Sequence, residues 1–317
     1  MLQVKGGPMR LCGVASLSVL ALMLAACGGG GAGTPVASTP PPPSNPTYTY
    51  NSFGALTGEQ TIPLSGATMV RAEGSNVPSG SISLQPAESG VLSITFNPAS
   101  GTYTVRNATL SQTFGPADAS SAYSNAAFAA YEKTNGNVSD YLAVYRPSGG
   151  TGSDKPLRYT TIVNFTRLTE TVSGNGFVDK QRQAFLGVGG FATQPGDMPS
   201  TGTATFTGPA RAYYTFGADS ILSSGFMQLV ADFGAKTVQT SLNLGGPVVN
   251  QSQTNLAFTG TGTLQANGTL GGSLSGSGYN GSFTGLFTGP GAAEVGFGFR
   301  LADPNGAQIG GAAAGVR

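Results

Sequence analysis

"GSFTGLFTGPGAAEVGFGFR", residues Gly281 to Arg300, sets two aromatic-studded runs on either side of a Gly-Pro-Gly break. In the first run Phe283, Gly285 and Phe287 alternate with Ser282 and Thr284. In the second, Val295, Phe297 and Phe299 share one side, and Glu294 stands at the start, facing away from them. A period of two is that of a strand, whose side chains point alternately to opposite faces. The stretch therefore reads as two successive strands joined across Gly289-Pro290-Gly291. Large residues alternating with glycine on one face suit the cramped interior of a small barrel. The glycines make room for rings rather than for a phosphate.

The same pattern extends upstream. From about Lys180, strand-like runs of six to ten residues alternate with Gly, Pro and Asn-Gly breaks: "QAFLGVGGF", "TGTATFTG", "ARAYYTF", "GFMQLVADF", "KTVQTSLNL", "NLAFTGTGTL", "TLGGSLSGSG", the opening pair and "AQIGGAAAG". Joining the two runs that share Gly208-Pro209 leaves eight or nine strands, the number at which a sheet closes into a barrel filled by its own side chains. Asn267-Gly268, between alternating runs, is the strongest hairpin signal. In "FTGTGTL", Phe258, Gly260, Gly262 and Leu264 oppose Thr259, Thr261 and Thr263. With Ser273, Ser275 and Ser277, these hydroxyls would face lipid in a transmembrane barrel, whose outer wall must be an apolar band. The expected barrel is a soluble one.

Toward the N-terminus, "VLSITFNPASGTYTVRNATL" reads as a hairpin: Leu92, Ile94 and Phe96 alternate with Ser93 and Thr95, and Tyr103 and Val105 resume the pattern after a turn. "LAVYRP" and "LRYTTIVNFTRL" read as further strands. An Ala-rich piece from Tyr123, "YSNAAFAAYEK", is expected to form a turn or two of helix, with Phe128 and Tyr131 as a packed face.

Before these lies an address. A basic start (Lys5, Arg10), an apolar run from Leu11 to Leu24 and "LAAC" ending at Cys27 have the layout of a secretory signal. Leu-Ala-Ala-Cys resembles the lipobox of bacterial lipoproteins, which implies cleavage before Cys27 and lipid on its thiol; an ordinary signal peptide with an incidental Cys is the alternative. Cys12 would leave with the signal, so the mature chain would hold neither disulfide nor Cys metal site. Each buried acyl methylene contributes about 0.8 kcal/mol, so several chains on one residue anchor a protein without a spanning helix. Gly28 to Thr47, rich in Gly and Pro and without aromatics, is expected to be a disordered stalk. Gly28, where a retention signal would have Asp, points to the outer membrane.

Composition narrows the chemistry. The chain has 317 residues, net charge +1, 9% charged residues, 50 Gly, two Cys, and neither His nor Trp. So few cations leave no electrostatic footprint for nucleic acid. Without His there is no Ser-His-Asp triad and no imidazole ligand. "GSGYNG", Gly276 to Gly281, has the letters of a dinucleotide-binding loop but lies between strands, where a helix N-terminus is required. "GGSLSGSG" lacks a central Ser nucleophile. Asp219, Asp232 and Glu294 read as solvated or structurally hydrogen-bonded acids. In "AYYTF", Tyr213 and Tyr214 should point one out and one in. No catalytic residue, cofactor or metal site is expected.

"TGTATFTGPARAYYTF" from Thr201, "VADFGAKTVQTSLNL" from Val230 and "GSFTGLFTGPGAAEVGFGF" from Gly281, in that order, resemble the barrel of transferrin-binding protein B and related Gram-negative surface lipoproteins. The resemblance covers about residues 181–317. It implies a β-rich handle before the barrel and capture of a ligand in nutrient or metal acquisition. The chain has length for one handle-barrel lobe where that family has two, no transferrin-contacting motif is matched, and "IGGAAAGVR" is poor in aromatics for the family's ending.

The expectation is thus an all-β, non-enzymatic protein: signal peptide 1–26, lipidated Cys27 and stalk 27–47, handle-like domain 48–180 and eight-stranded antiparallel barrel 181–317. It would be held to a membrane by lipid at the outer-membrane surface and bind a host or environmental protein or solute. A shielding envelope lipoprotein without a ligand is the alternative.

Overall fold

The computed structural model describes residues 47–73, 81–85, 92–125, 127–145, 156–172, 178–216, 219–249 and 252–317. The expected signal, Cys27 and nearly all of the stalk lie outside the described residues. Among those described, the helical content is two three-residue 3-10 turns, Pro116–Asp118 and Pro195–Asp197; the other regular elements are strands.

Eight antiparallel strands close into a barrel: β11 (Thr203–Phe216), β12 (Asp219–Asp232), β13 (Thr237–Val249), β14 (Ser252–Leu264), β15 (Thr269–Gly276), β16 (Tyr279–Thr288), β17 (Glu294–Ala302) and β18 (Gln308–Val316), which pairs back onto β11. The interior is packed: Phe206, Phe258, Phe283, Phe287, Phe297 and Phe299 are each 2% exposed or less. The opening stretch forms β16 and β17, in register Phe283↔Phe299 and Phe287↔Val295. Ring centroids of Phe283 and Phe297 lie 5.4 Å apart. A Cβ on Gly272 would stand 2.8 Å from the Phe283 ring, and one on Gly285 would stand 2.6 Å from Phe297 Cβ. These glycines hold the space that the rings fill.

The connections follow the turn chemistry. Gly268 has φ +82° in the turn after Asn267, and Ser277 and Gly278 (φ +47° and +84°) make the two-residue hairpin between β15 and β16. "GSGYNG" is that hairpin. Gly208-Pro209 is no break, because β11 runs through it.

The N-terminal half is two sheets. A four-stranded sheet has the order β1 (Gln60–Pro63), β4 (Ser93–Asn97), β5 (Thr102–Arg106), β6 (Ser111–Phe114). A six-stranded sheet has the order β3 (Ser81–Gln85), β2 (Ser65–Glu73), β10 (Val178–Gly190), β9 (Thr160–Val172), β8 (Val138–Tyr145), β7 (Phe128–Asn135). The hairpin read from the sequence is β4 and β5. On one face of the larger sheet, Leu142, Val144, Val163, Phe165 and Phe185 bury Ile62, Ile94, Val105 and Phe114 of the smaller one. On the other, Met69, Tyr145, Ile162, Leu186 and Val188 meet the barrel's Tyr213, Ala312 and Ala314.

Two expectations change. From Phe128 the Ala-rich piece is strand β7, paired from end to end with β8, including Ala130↔Ala143 and Tyr131↔Leu142. Asn125 Oδ1 accepts from the backbone N–H of Ala127 (2.8 Å) and Phe128 (3.0 Å), a local turn that launches the strand. Alanine's helix preference is worth only tenths of a kcal/mol per residue, and the ladder and burial beside β8 override it. Phe128 and Tyr131, three apart, consequently face opposite sides. The second change concerns "QAFLGVGGF", which lies in β10 between β2 and β9 and not in the barrel wall. Its removal reduces the eight or nine runs to eight.

Candidate functional site

The Gly-Pro-Gly turn sits on the seam between handle and barrel. Gly289 donates its N–H to Phe191 O (2.9 Å), and Thr193 Oγ1 donates to Gly289 O (2.7 Å). Gly289 has φ +72°, and a Cβ there would run into the Tyr159 ring. Gly291 N–H and Tyr50 O–H both donate to Asp197 Oδ2, at 2.9 and 2.7 Å. One carboxylate thereby ties the N-terminal segment to the barrel turn.

Glu294 makes the deepest tie. Only 2% exposed, its carboxylate accepts from three successive backbone N–H groups: Arg158 (2.6 Å), Tyr159 (3.0 Å) and Thr160 (2.8 Å). Thr160 and Thr288 hydroxyls meet beside it at 2.5 Å. Burial pushes the carboxyl above its usual value, and the donors pull it back. The sequence reading of a structurally hydrogen-bonded acid holds; the solvated alternative does not. Asp219 and Asp232 open and close β12, at opposite ends of one strand, and are not brought together.

Tyr213 and Tyr214 split as parity requires. Tyr214 turns inward, its hydroxyl 2.5 Å from that of Tyr279. Tyr213 turns outward and donates to Asn164 Oδ1 of the handle (2.8 Å), with the Thr166 hydroxyl at 3.2 Å. Burial raises the Tyr213 hydroxyl's pKa.

Beside Tyr213 the seam opens into a cleft of about 190 Å³, lined by Tyr123, Asn125, Phe128, Tyr141, Asn164 and Arg211, with Leu186 and Leu222 as aliphatic walls. The Arg211 guanidinium lies 4.9 Å from the Phe128 ring centre, and Tyr123 meets Tyr141 edge to face at 5.8 Å. At the cleft rim and beyond it β12 carries exposed apolar side chains: Leu222 is 50% exposed and Phe226 60%, and Tyr123 on the handle side is 56% exposed. Of these residues the sequence reading named Phe128, as part of a packed face; the cleft itself was not read from sequence. The available signal was parity, which turns Arg211 and Tyr213 outward between inward Ala210, Ala212 and Tyr214.

A second concavity of about 370 Å³ lies over β12 to β15, lined by Gln228, Gln239, Ser241, Thr259, Thr261, Ser273 and Ser275 among others. It is an uncharged hydroxyl and amide face. Among the described residues, no group of three or more His, Cys, Asp or Glu is placed to hold a metal ion.

Residues 198–317 match the model of a family described as the C-lobe and N-lobe beta barrels of Tf-binding protein B. Similar solved structures include HpuA from Kingella denitrificans in complex with human haemoglobin, at 14% identity over 86% of this chain and 89% of that one, TM-score 0.38. Another is the isotype 1 transferrin binding protein B from serogroup B Neisseria meningitidis, at 11% identity over 82% and 77%, TM-score 0.30. A third is a transferrin binding protein B double mutant from Haemophilus parasuis, at 14% identity over 83% and 76%, TM-score 0.34. No curated protein matches the sequence.

Proposed function

From a barrel of the transferrin-binding protein B type set against a two-sheet handle, we propose a lipid-anchored capture protein of the outer-membrane surface that binds a protein ligand in nutrient or metal acquisition. The observation that carries this reading is the match of residues 198–317 to the barrels of Tf-binding protein B. Lipid on Cys27 anchors the chain, and residues 28–47 form the stalk that carries handle and barrel outward. At ~3 Å per residue where extended, such a stalk reaches tens of ångströms from the bilayer. A barrel locked to its handle by Glu294 and Asp197 presents a rigid surface, which lowers the ordering cost of binding. Phe226 and Leu222, exposed on β12, supply the aromatic and aliphatic anchors on which protein interfaces concentrate their energy.

The test uses the full chain, immobilised and exposed to serum, beside a Phe226→Asp variant. A protein retained by the wild type and lost from the variant is the expected result. A wild type that retains nothing, or a variant that retains the same protein equally, contradicts the reading and leaves a shielding lipoprotein. For the anchor, Cys27→Ser should move the chain from the detergent to the aqueous phase; continued partition with detergent contradicts lipidation.

A further inference from the structure

The cleft beside Tyr213 presents an unusual set of polar atoms. Both of its amides have their oxygens engaged inside the fold. Asn125 Oδ1 accepts from Ala127 and Phe128 N–H, and Asn164 Oδ1 accepts from the Tyr213 hydroxyl. The amide nitrogens of these two residues have no partner among the described residues. Asn164 is 8% exposed and lines the cleft. An amide N–H that faces the cleft can exchange water for a ligand acceptor, and a charge-assisted bond to a carboxylate is stronger than one between neutral groups. Arg211, packed on Phe128, adds positive charge to the same wall. The cleft's chemistry is donor-rich and cationic on one side, aromatic and aliphatic on the other.

Size narrows the ligand further. A cavity of about 150 Å³ accommodates a benzene ring, whereas drug-sized ligands need about 300 Å³ or more. A cleft of about 190 Å³ therefore has room for one ring and a small polar group. Tyr123, Phe128 and Tyr141 offer ring faces and edges to such a body, and Leu186 and Leu222 offer aliphatic contact.

We propose that the cleft between handle and barrel is a binding site for a small monocarboxylate with a single aromatic ring, its carboxylate received by the Asn164 and Asn125 amide N–H groups and Arg211, its ring held among Tyr123, Phe128 and Tyr141. The site shares Leu222 with the exposed face of β12 but does not depend on protein capture at Phe226.

The test is isothermal titration of the full chain with 3-phenylpropionate and, as the charge-reversed control, phenethylamine. The carboxylate should bind saturably with one site and the amine should not. Asn164→Asp keeps the acceptor for Tyr213 and replaces the donor with a negative charge; it should weaken the carboxylate at least about tenfold, since a like charge then stands at contact distance. Tyr123→Ala, an exposed residue outside the core, should weaken it several-fold and serves where Asn164→Asp fails to fold. Phe226→Asp should leave carboxylate binding unchanged while abolishing protein capture. Absence of carboxylate binding, equal binding of amine and carboxylate, or unchanged affinity in a folded Asn164→Asp or in Tyr123→Ala overturns the proposal.

Discussion

The barrel has two outer walls built on opposite rules. On β17 and β18 the outward positions include Gly296, Gly298, Gly310, Ala312 and Ala314, and the handle lies flush on them: a Cβ on Gly298 would stand 2.6 Å from Gly66 Cα. On β13 to β15 the outward positions include Gln239, Ser241, Thr259, Thr261, Thr263, Ser273 and Ser275, and among the described residues no element covers them. The interior is the same kind of Phe and Leu packing behind both walls. Outward residue size, not inward packing, therefore decides which side of the barrel receives the handle. Small residues let backbones meet, and hydroxyls keep a face in water.

The largest effect should come from breaking the docked wall. Gly298→Leu pushes a branched side chain into the Gly66 backbone and should cost about 3 kcal/mol, splitting the single unfolding transition so that handle and barrel melt separately. A variant that melts at the wild-type temperature in one transition would contradict the flush seam. Next in size is the carboxylate that closes that wall. Glu294→Ala leaves three N–H groups, one buried and two part-buried, without an acceptor and should cost about 2–3 kcal/mol in denaturant unfolding; a loss under half a kcal/mol would show that water replaces the carboxylate.

Glu294 also makes the seam sensitive to pH. Its folded value lies above the ordinary one because of burial, so the folded state takes the proton more readily than the unfolded chain. The resulting stability is fully present below the ordinary carboxylate pKa and is lost as pH rises through the folded value. The stability difference between wild type and Glu294→Gln should shrink across that window; a difference that is flat, or that grows with pH, contradicts the shift. The smallest effect belongs to the uncovered wall, where Thr261→Val should change stability by no more than about 0.5 kcal/mol.

Much of the barrel was legible because period-two alternation and turn chemistry are local. Phe258, Phe283, Phe287, Val295, Phe297 and Phe299 point inward as read, Asn267-Gly268 turns a hairpin, and Tyr213 and Tyr214 divide out and in. What escaped was decided by partners distant in sequence. "QAFLGVGGF" has the glycine-spaced pattern of a barrel strand, and only its pairing with β2 and β9 places it in the handle. "IGGAAAGVR", which departs from a barrel strand in lacking aromatics, is the docking strip whose small residues face the handle. The partners of Glu294 were invisible for the same reason, since its three donors lie more than a hundred residues upstream. The cleft joins Asn125 and Asn164 of one half to Arg211 and Leu222 of the other, a juxtaposition that parity hints at and no spacing reveals.

Protease shaving of intact cells that express the chain tests the capture account most directly. The account predicts that handle and barrel are digested on intact cells carrying the wild type, and that Cys27→Ser removes the chain from the cell surface. Protection of the wild type until the outer membrane is permeabilised would place it inside the envelope and contradict a surface capture protein.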